Sequence, residues 1–178
     1  LLNHSKILYF PDDQEDNTLV RITGPVSGFK FIYDNFIPKN KIVNYKFNNQ
    51  QNNLLNYDIL NLFITKRKEL NIYIIGEYPL INFAEDLGNR IMETVFCPKP
   101  RIVDYFEFVH GPYQTCLDND YTIYICLESK LFNIFKSMFN NTNRIIYLES
   151  NMDLDLIIID YGLIINSWIK QIVETSDI

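Results

Sequence analysis

The segment from residue 72 to residue 114 carries most of the side chains that could perform acid–base chemistry. Glu93 lies late in a helix-like stretch, and His110 follows it in the sequence Glu-Phe-Val-His-Gly-Pro. A carboxylate at the mouth of an α/β pocket is partly desolvated, so its pKa rises and it can move a proton on a carbon next to a carbonyl group. A neutral imidazole can transfer a proton at a sugar ring oxygen. Glu93 and His110 are therefore the candidate catalytic residues.

Three further charged residues accompany this pair. Glu85 is eight residues before Glu93, a little over two helical turns, so both side chains can lie on a similar face. Arg90 is three residues before Glu93 and could form an ion pair with it. We expect residues 101–108 to be a strand or an extended segment, so Glu107 and His110 point to opposite faces. Glu107 would then orient the loop or cap a helix.

Each of these residues also has an ordinary structural interpretation. An arbitrary helix glutamate such as Glu93 is more often a solvated surface group than a base. His110 could be a loop histidine that is hydrogen-bonded to backbone. An ion pair of Arg90 and Glu93 at the surface would contribute little to stability. Residue types and spacing leave both interpretations open.

Other familiar chemistries have no matching pattern. The sequence shows no P-loop, nucleophile elbow, zincin helix or dinucleotide fingerprint. Two histidines and three cysteines without a Cys-x-x-Cys pair do not predict a metal site, and we expect no cofactor. Cys97, Cys116 and Cys126 are predicted to be reduced thiols. The sequence Thr-Gly-Pro-Val-Ser-Gly at 23–28 could cradle a phosphate or form an ordinary turn.

Length and composition restrict the class of protein. The 178 residues are 47% hydrophobic, which is enough for one core with or without an appendage. A net charge of −6 disfavours nucleic-acid binding. No apolar run approaches the roughly 18 residues of a membrane span, and no signal-peptide pattern is present, so we predict a cytoplasmic protein. The chain starts at Leu1 without Met, and we expect it to be a fragment of a longer protein.

The remaining elements must position the candidate residues. Residues 1–53 are predicted to form a β-rich N-terminal segment and linker, and residues 54–178 a second domain. In that domain, helical spacing predicts helices at 54–70, 82–94, 130–139 and 162–174. Mainly apolar runs predict strands at 72–75, 101–108, 121–127, 144–148 and 154–160. Such strands, separated by helices, indicate a parallel sheet covered on both faces. The predicted fold is therefore α/β.

Three features of this domain resemble the sugar isomerase (SIS) domain. A strand ends at Gly76, the pattern A-E-x(7)-E runs from Ala84 to Glu93, and E-F-x-H-G-P runs from Glu107 to Pro112. The sequence is most similar to the second such domain of glucosamine-fructose-phosphate aminotransferase and related deglycases. The resemblance covers about residues 71–178.

The resemblance implies a five-stranded parallel, flavodoxin-like sheet that binds a hexose phosphate or amino-sugar phosphate at the strand ends. It implies aldose–ketose isomerisation or deglycation, in which Glu93 moves a proton between the first two sugar carbons. His110 would open the sugar ring, often across a subunit interface, which implies a homodimer. The residues expected to contact the substrate are Glu85, Arg90, Glu107 and Ser129.

Two departures from the family pattern leave a second function open. Arg90 stands where the family has a lysine, so an amine role is lost although phosphate or carboxylate pairing survives. The family's serine- and threonine-rich phosphate loop is not visible, and Glu128, which follows the strand at 121–127, would repel a phosphate. The chain is thus either part of an isomerase, deglycase or aminotransferase, or a non-catalytic SIS module for phosphosugar sensing or dimerisation. A structural domain without a ligand is a third interpretation.

Overall fold

The computed structural model describes residues 54–113, 119–138, 143–150 and 154–176. All of them lie within one of the chain's two units, Lys46–Ile178. The predicted N-terminal segment 1–53 with its Thr-Gly-Pro-Val-Ser-Gly turn lies outside the described residues, and so does Cys116. The boundary between residues 53 and 54 therefore stays a prediction.

Helices and strands alternate along the described residues. In chain order they are α1 (Tyr57–Thr65), β1 (Asn71–Gly76), α2 (Ile81–Val95), β2 (Arg101–Asp104), α3 (Tyr105–His110), β3 (Thr122–Leu127), α4 (Phe132–Met138), β4 (Ile145–Leu148) and α5 (Leu154–Thr175). The predicted helices at 54–70, 82–94 and 130–139 and strands at 72–75, 121–127 and 144–148 are confirmed, with shifted ends.

The four strands form one parallel sheet in the order β2-β1-β3-β4. The pairing is in register at Gly76 with Asp104, at Tyr73 with Tyr124 and at Leu127 with Leu148. A flavodoxin-like sheet has the order 2-1-3-4-5. The observed sheet matches its first four positions, so the predicted count of five strands is wrong for the described residues.

The missing fifth strand is explained by α5. The apolar run at 154–160 was expected to be a strand, but it is the first part of a single helix of 22 residues that continues through Gly162. A continuous apolar run does not distinguish a buried strand from a buried helix. Here Ile157, Tyr161, Ile165, Trp168 and Ile172 recur at helical spacing and are all buried.

The segment 101–108 is also only partly extended. β2 ends at Asp104, and α3 begins at Tyr105. The Asp104 Oδ1 atom accepts a hydrogen bond of 2.7 Å from the Glu107 backbone N–H, which satisfies one of the unpaired donors in the first turn of a helix. Glu107 and His110 therefore lie one turn apart on a helix, and the prediction that they point to opposite faces is wrong.

The two faces of the sheet carry different helices, as predicted. On one face Tyr73 and Tyr124 meet Phe108 of α3, and α4 adds Phe132 and Phe135 to the same cluster. The other face carries α2, where a Cβ built on Gly88 would lie 3.5 Å from Ile74 Cδ1. α5 packs against α2 and α1. The core thus has an aromatic layer and a mainly aliphatic layer.

One helix in the described part of the chain passes a length and composition test for a membrane span. It is Leu156–Thr175 in α5, and 61% of its most apolar window is buried inside the protein. The core helix of a globular domain passes the same test. The expectation that no stretch is long and apolar enough was therefore too strict.

Candidate functional site

The strand order places a crevice between β1 and β3. The chain leaves β1 through α2 on one face and enters β2, and it leaves β2 through α3 on the opposite face before reaching β3. In open parallel sheets, ligands bind outside the carboxyl ends of the strands at the point where successive connections diverge to opposite faces. The carboxyl ends of β1 and β3 are therefore the candidate site.

The two strands approach each other closely at this point. Ile75 pairs with Cys126, so Gly76 lies beside Leu127. A Cβ at Gly76 would lie 3.0 Å from Leu127 Cδ1, which is tighter than ordinary van der Waals contact. The absence of a side chain at Gly76 lets the ends of β1 and β3 meet without displacing Leu127.

Carboxylates follow directly after the strands. Glu77 comes after β1, Glu128 after β3 and Glu149 after β4, and Asp104 is the last residue of β2. Neighbouring strands are about 4.8 Å apart, so these residues form an acidic row along the carboxyl edge. Lys136 of α4 pairs with Glu149 at one end of the row. These four carboxylates supply hydrogen-bond acceptors along the edge.

Hydrogen bonds from α5 hold the ends of β3 and β4. The Tyr161 hydroxyl accepts from the Glu128 backbone N–H at 3.0 Å and donates to the Leu148 carbonyl at 2.9 Å. The Ser150 backbone N–H donates to Glu128 Oε2 at 3.0 Å, and the Ser150 hydroxyl donates to Asp160 Oδ2 at 2.7 Å. We call Glu128, Ser150, Asp160 and Tyr161 the β3–β4 junction.

A second buried tyrosine reaches the end of β3 from the other face of the sheet. The Tyr105 hydroxyl donates to the Leu127 carbonyl at 2.6 Å. Burial raises the pKa of both Tyr105 and Tyr161 above the usual value near 10, so both hydroxyls keep their protons. Next to this bond, the Ser129 hydroxyl accepts from the Leu131 backbone N–H at 2.9 Å.

The predicted catalytic residues are not brought together within one chain. α2 has 15 residues, about 22 Å, and runs from the carboxyl end of β1 back to the amino end of β2. Glu93 is exposed near the end of α2, so it lies towards the amino edge of the sheet. His110 is exposed in the last turn of α3, on the other face. Their catalytic roles stay a prediction.

The predicted substrate-binding residues have different surroundings. Glu85 is exposed and pairs with Lys99 at 2.8 Å. Arg90 is buried and pairs with Asp86 at 2.8 Å. Glu107 lies in the first turn of α3, and Ser129 lies at the carboxyl end of β3. Of the predicted site residues, Glu107 and Ser129 are therefore those nearest to the candidate site.

Sequence reasoning missed Glu77, Ser150, Asp160 and Tyr161. Glu77 and Ser150 could have been found from their positions, because polar residues directly follow β1 and β4. Asp160 was predicted to be the last residue of a strand, and Tyr161 lay between that strand and the helix predicted at 162–174. Within the described ranges, no group of three or more His, Cys, Asp or Glu residues is placed to hold a metal ion.

A groove of about 460 Å³ also runs along β4. It is lined by apolar side chains, including Leu55, Ile146 and Trp168, together with polar groups, and it reaches the carboxyl edge at Leu148, Glu149 and Lys136. Trp168 is 5% exposed, so its ring offers little surface for a ligand to stack on. The groove lies beside the candidate site and does not include it.

Comparison with known proteins identifies no family. No family model matches the chain, and no curated protein matches it. Among solved structures, it is similar to a crystal structure from Salmonella typhimurium LT2 named "Putative sugar binding protein", with a TM-score of 0.47 and 17% identity. The match covers 64% of this chain and 39% of that chain, so this chain spans well under half of that protein. Membership of the SIS family stays a prediction.

Proposed function

We propose that this chain is a sugar-binding module whose ligand lies at the carboxyl edge of the sheet, between β1 and β3. The observation that supports this most directly is the parallel strand order β2-β1-β3-β4 with α2 and α3 on opposite faces. That arrangement opens a crevice at the strand ends, where Gly76 lies beside Leu127.

The groups around this crevice suit a ligand rich in hydroxyl groups. Glu77, Asp104 and Glu128 provide carboxylate oxygens, which accept stronger hydrogen bonds than neutral oxygens do. The Ser150 hydroxyl, which donates to Asp160, lies beside these carboxylates. A sugar supplies several hydroxyl donors from one small rigid ring. An amino sugar adds a protonated amine, which the acidic row attracts further.

The same charges disfavour a phosphate group at the strand ends. The SIS resemblance implies a hexose phosphate or amino-sugar phosphate, but Glu128 and its acidic neighbours would repel a phosphate dianion. We therefore propose that recognition is carried by the hydroxyl and amine groups of the sugar. A phosphate on the same ligand would point away from Glu128.

We further propose that the chain binds its sugar without transforming it. Isomerisation would need Glu93 and His110 at one sugar, whereas α2 and α3 carry them on opposite faces of the sheet. The alternative enzyme, a SIS-type isomerase, deglycase or aminotransferase, would need the second residue from a partner subunit. An isomerase assay on the Glu93→Gln variant separates the two functions, since loss of a measurable turnover would support the enzyme.

A ligand panel tests the proposal. Thermal unfolding is followed with glucosamine, glucose, glucosamine-6-phosphate, fructose-6-phosphate and inorganic phosphate. A ligand at 100 times its Kd adds about 2.7 kcal/mol to the free energy of unfolding, which is readily detected. We expect glucosamine to stabilise the chain most and inorganic phosphate not to stabilise it. Stabilisation by inorganic phosphate alone, or by no member of the panel, would contradict the proposal.

Two glutamate variants locate the site. Glu128→Gln keeps an oxygen acceptor for Ser150 but removes the charge, and we expect it to weaken glucosamine binding about tenfold or more. Glu93→Gln makes the same chemical change at an exposed position on α2, and we expect no change in affinity. Equal losses in both variants would show that the affinity reflects overall charge and not a site at the strand ends.

A further inference from the structure

Tyr161 occupies an unusual place among the buried tyrosines. Its side chain is 1% exposed, and its hydroxyl sits between two neighbouring strand ends. It accepts from the backbone N–H of Glu128, the first residue after β3, and donates to the carbonyl of Leu148, the last residue of β4. One hydroxyl group from α5 therefore fixes the positions of both strand ends.

The neighbouring bonds extend this constraint to the side chains of the candidate site. Glu128, whose backbone is held by Tyr161, accepts from the Ser150 N–H through its own carboxylate. Asp160, adjacent to Tyr161 on α5 and 3% exposed, accepts from the Ser150 hydroxyl. The direction of the Glu128 carboxylate is thus set by a closed set of bonds that begins at Tyr161.

Tyr105 provides a natural comparison. It is equally buried and also bonds to the end of β3, but its hydroxyl donates to the Leu127 carbonyl, inside the strand, and otherwise interacts with the Ser129 side chain. Leu127 is already held by pairing with Leu148 across the sheet. We therefore expect loss of the Tyr105 hydroxyl to leave the strand register in place. Loss of the Tyr161 hydroxyl should free the backbone N–H of Glu128, which lies beyond the last paired residue.

We infer that Tyr161 is a positioning residue of the sugar site. Its hydroxyl holds the Glu128 backbone and thereby positions the Glu128 carboxylate on the β3 side of the crevice. This inference rests on the proposed function. Tyr161 does not touch the sugar, because it is buried beneath the strand ends. It acts through Glu128 and Ser150.

The test compares Tyr161→Phe with Tyr105→Phe, which both keep the aromatic ring and remove one buried hydroxyl. Thermal unfolding measures stability, and calorimetry measures the Kd for glucosamine. We expect both variants to lose similar stability. Tyr161→Phe should raise the Kd about tenfold, whereas Tyr105→Phe should leave it within about twofold, and a merely structural role of Tyr161 would move the Kd equally in both.

The outcomes separate the two proposals. A wild-type chain that does not bind glucosamine overturns the proposed function and this inference with it. Binding by the wild type together with an unchanged Kd in Tyr161→Phe, or equal losses in both variants, overturns the inference alone. If Tyr161→Phe does not fold, amide exchange at Glu128 in the wild type decides. Slower exchange with glucosamine supports the inference, and unchanged exchange overturns it.

Discussion

The two halves of the sheet are stabilised in different ways. In the β1 half, which comprises β1, α2, β2 and α3, the helices pack on the strands next to them in sequence, as α3 does on β2 and β1, and α2 also packs on α5. In the β3 half, which comprises β3, α4, β4 and α5, the strand ends are held by side chains of a helix that follows them. The position of Glu128 at the candidate site thus depends on tertiary contacts, which the local sequence pattern does not predict.

The two halves differ most clearly after β4, where a helix replaces the expected fifth strand. A flavodoxin-like sheet would place a fifth strand there, whereas this chain places α5 against α2 and α1. The helix brings Asp160 and Tyr161 to the ends of β3 and β4, where a strand would present its side chains differently. The change of element therefore supplies the β3–β4 junction.

The largest predicted effect concerns α3 in the β1 half. Phe108 is fully buried among the rings of Tyr73, Tyr124 and Phe135. We expect Phe108→Ala to reduce the free energy of unfolding by about 3–5 kcal/mol, measured by urea denaturation, because it opens a cavity beneath a short helix. Phe106 lies on the same helix and its side chain is 64% exposed, so Phe106→Ala should change the free energy of unfolding by no more than about 0.5 kcal/mol. Similar costs would contradict this packing of α3.

The next effect tests α5 in the β3 half. Ile165 is fully buried, and we expect Ile165→Ala to cost about 2–5 kcal/mol and Ile165→Val about 0.5–1.5 kcal/mol. Val173→Ala, at a partly exposed position of the same helix, is the matched control and should cost less than Ile165→Ala. If the Ile165 variants unfold at the wild-type urea concentration, α5 is not part of the core and the comparison of the two halves fails.

Alkaline pH should destabilise the protein. Burial raises the pKa of Cys97 from 9.0 to about 11 and that of Tyr147 from 10.0 to about 12, and it also raises the pKa of Tyr105, Cys126 and Tyr161. The unfolded chain therefore loses these protons first and binds fewer protons than the folded chain. The free energy of unfolding should fall as pH rises from about 9 towards 12. Urea denaturation at several pH values measures this.

A matched variant sharpens the pH prediction. Tyr147→Phe removes one of the titrating groups on β4, so its stability should fall less steeply above about pH 10 than that of the wild type. A stability that stays constant up to pH 11 would contradict the burial of these groups.

The smallest predicted effect is at the end of α2. Phe96 follows the helix with a φ of 56°, a left-handed conformation that costs a residue with a side chain about 1–2 kcal/mol. Its side chain is 58% exposed, so little packing is lost on replacement. We expect Phe96→Gly to stabilise the protein by about 0.5–1 kcal/mol and Phe96→Ala to leave its stability within about 0.5 kcal/mol. Destabilisation by glycine would show that the Phe96 ring packs more strongly than its exposure indicates.

The β1 half was largely predictable from the sequence. The apolar run before Gly76 is bounded by polar residues, and Leu87, Ile91 and Val95 recur at helical spacing in α2. α3 was the exception there, because a helix of six residues is too short to show a period. Asp104 with Glu107 three residues later is the spacing of a capping box, which could have marked its start.

The β3 half was predictable only as far as β4. α5 is buried on several sides, so its first residues form a continuous apolar run that a strand would also show. The residues that α5 contributes to the candidate site were not predicted for the same reason. Ser129 was named because the SIS resemblance implies a substrate contact after the strand at 121–127, whereas Asp160 and Tyr161 reach the site only through tertiary packing of α5.

The most direct test of the proposed sugar site is an NMR titration of the uniformly ¹⁵N-labelled chain with glucosamine. We expect the largest shifts of backbone amide signals at the strand ends, at Glu77, Glu128, Ser129 and Ser150, with little change at Glu93 and His110. Shifts centred on Glu93 and His110 would contradict it and favour the SIS-type active site. The absence of shifts throughout the spectrum would show that the carboxyl edge does not bind this sugar.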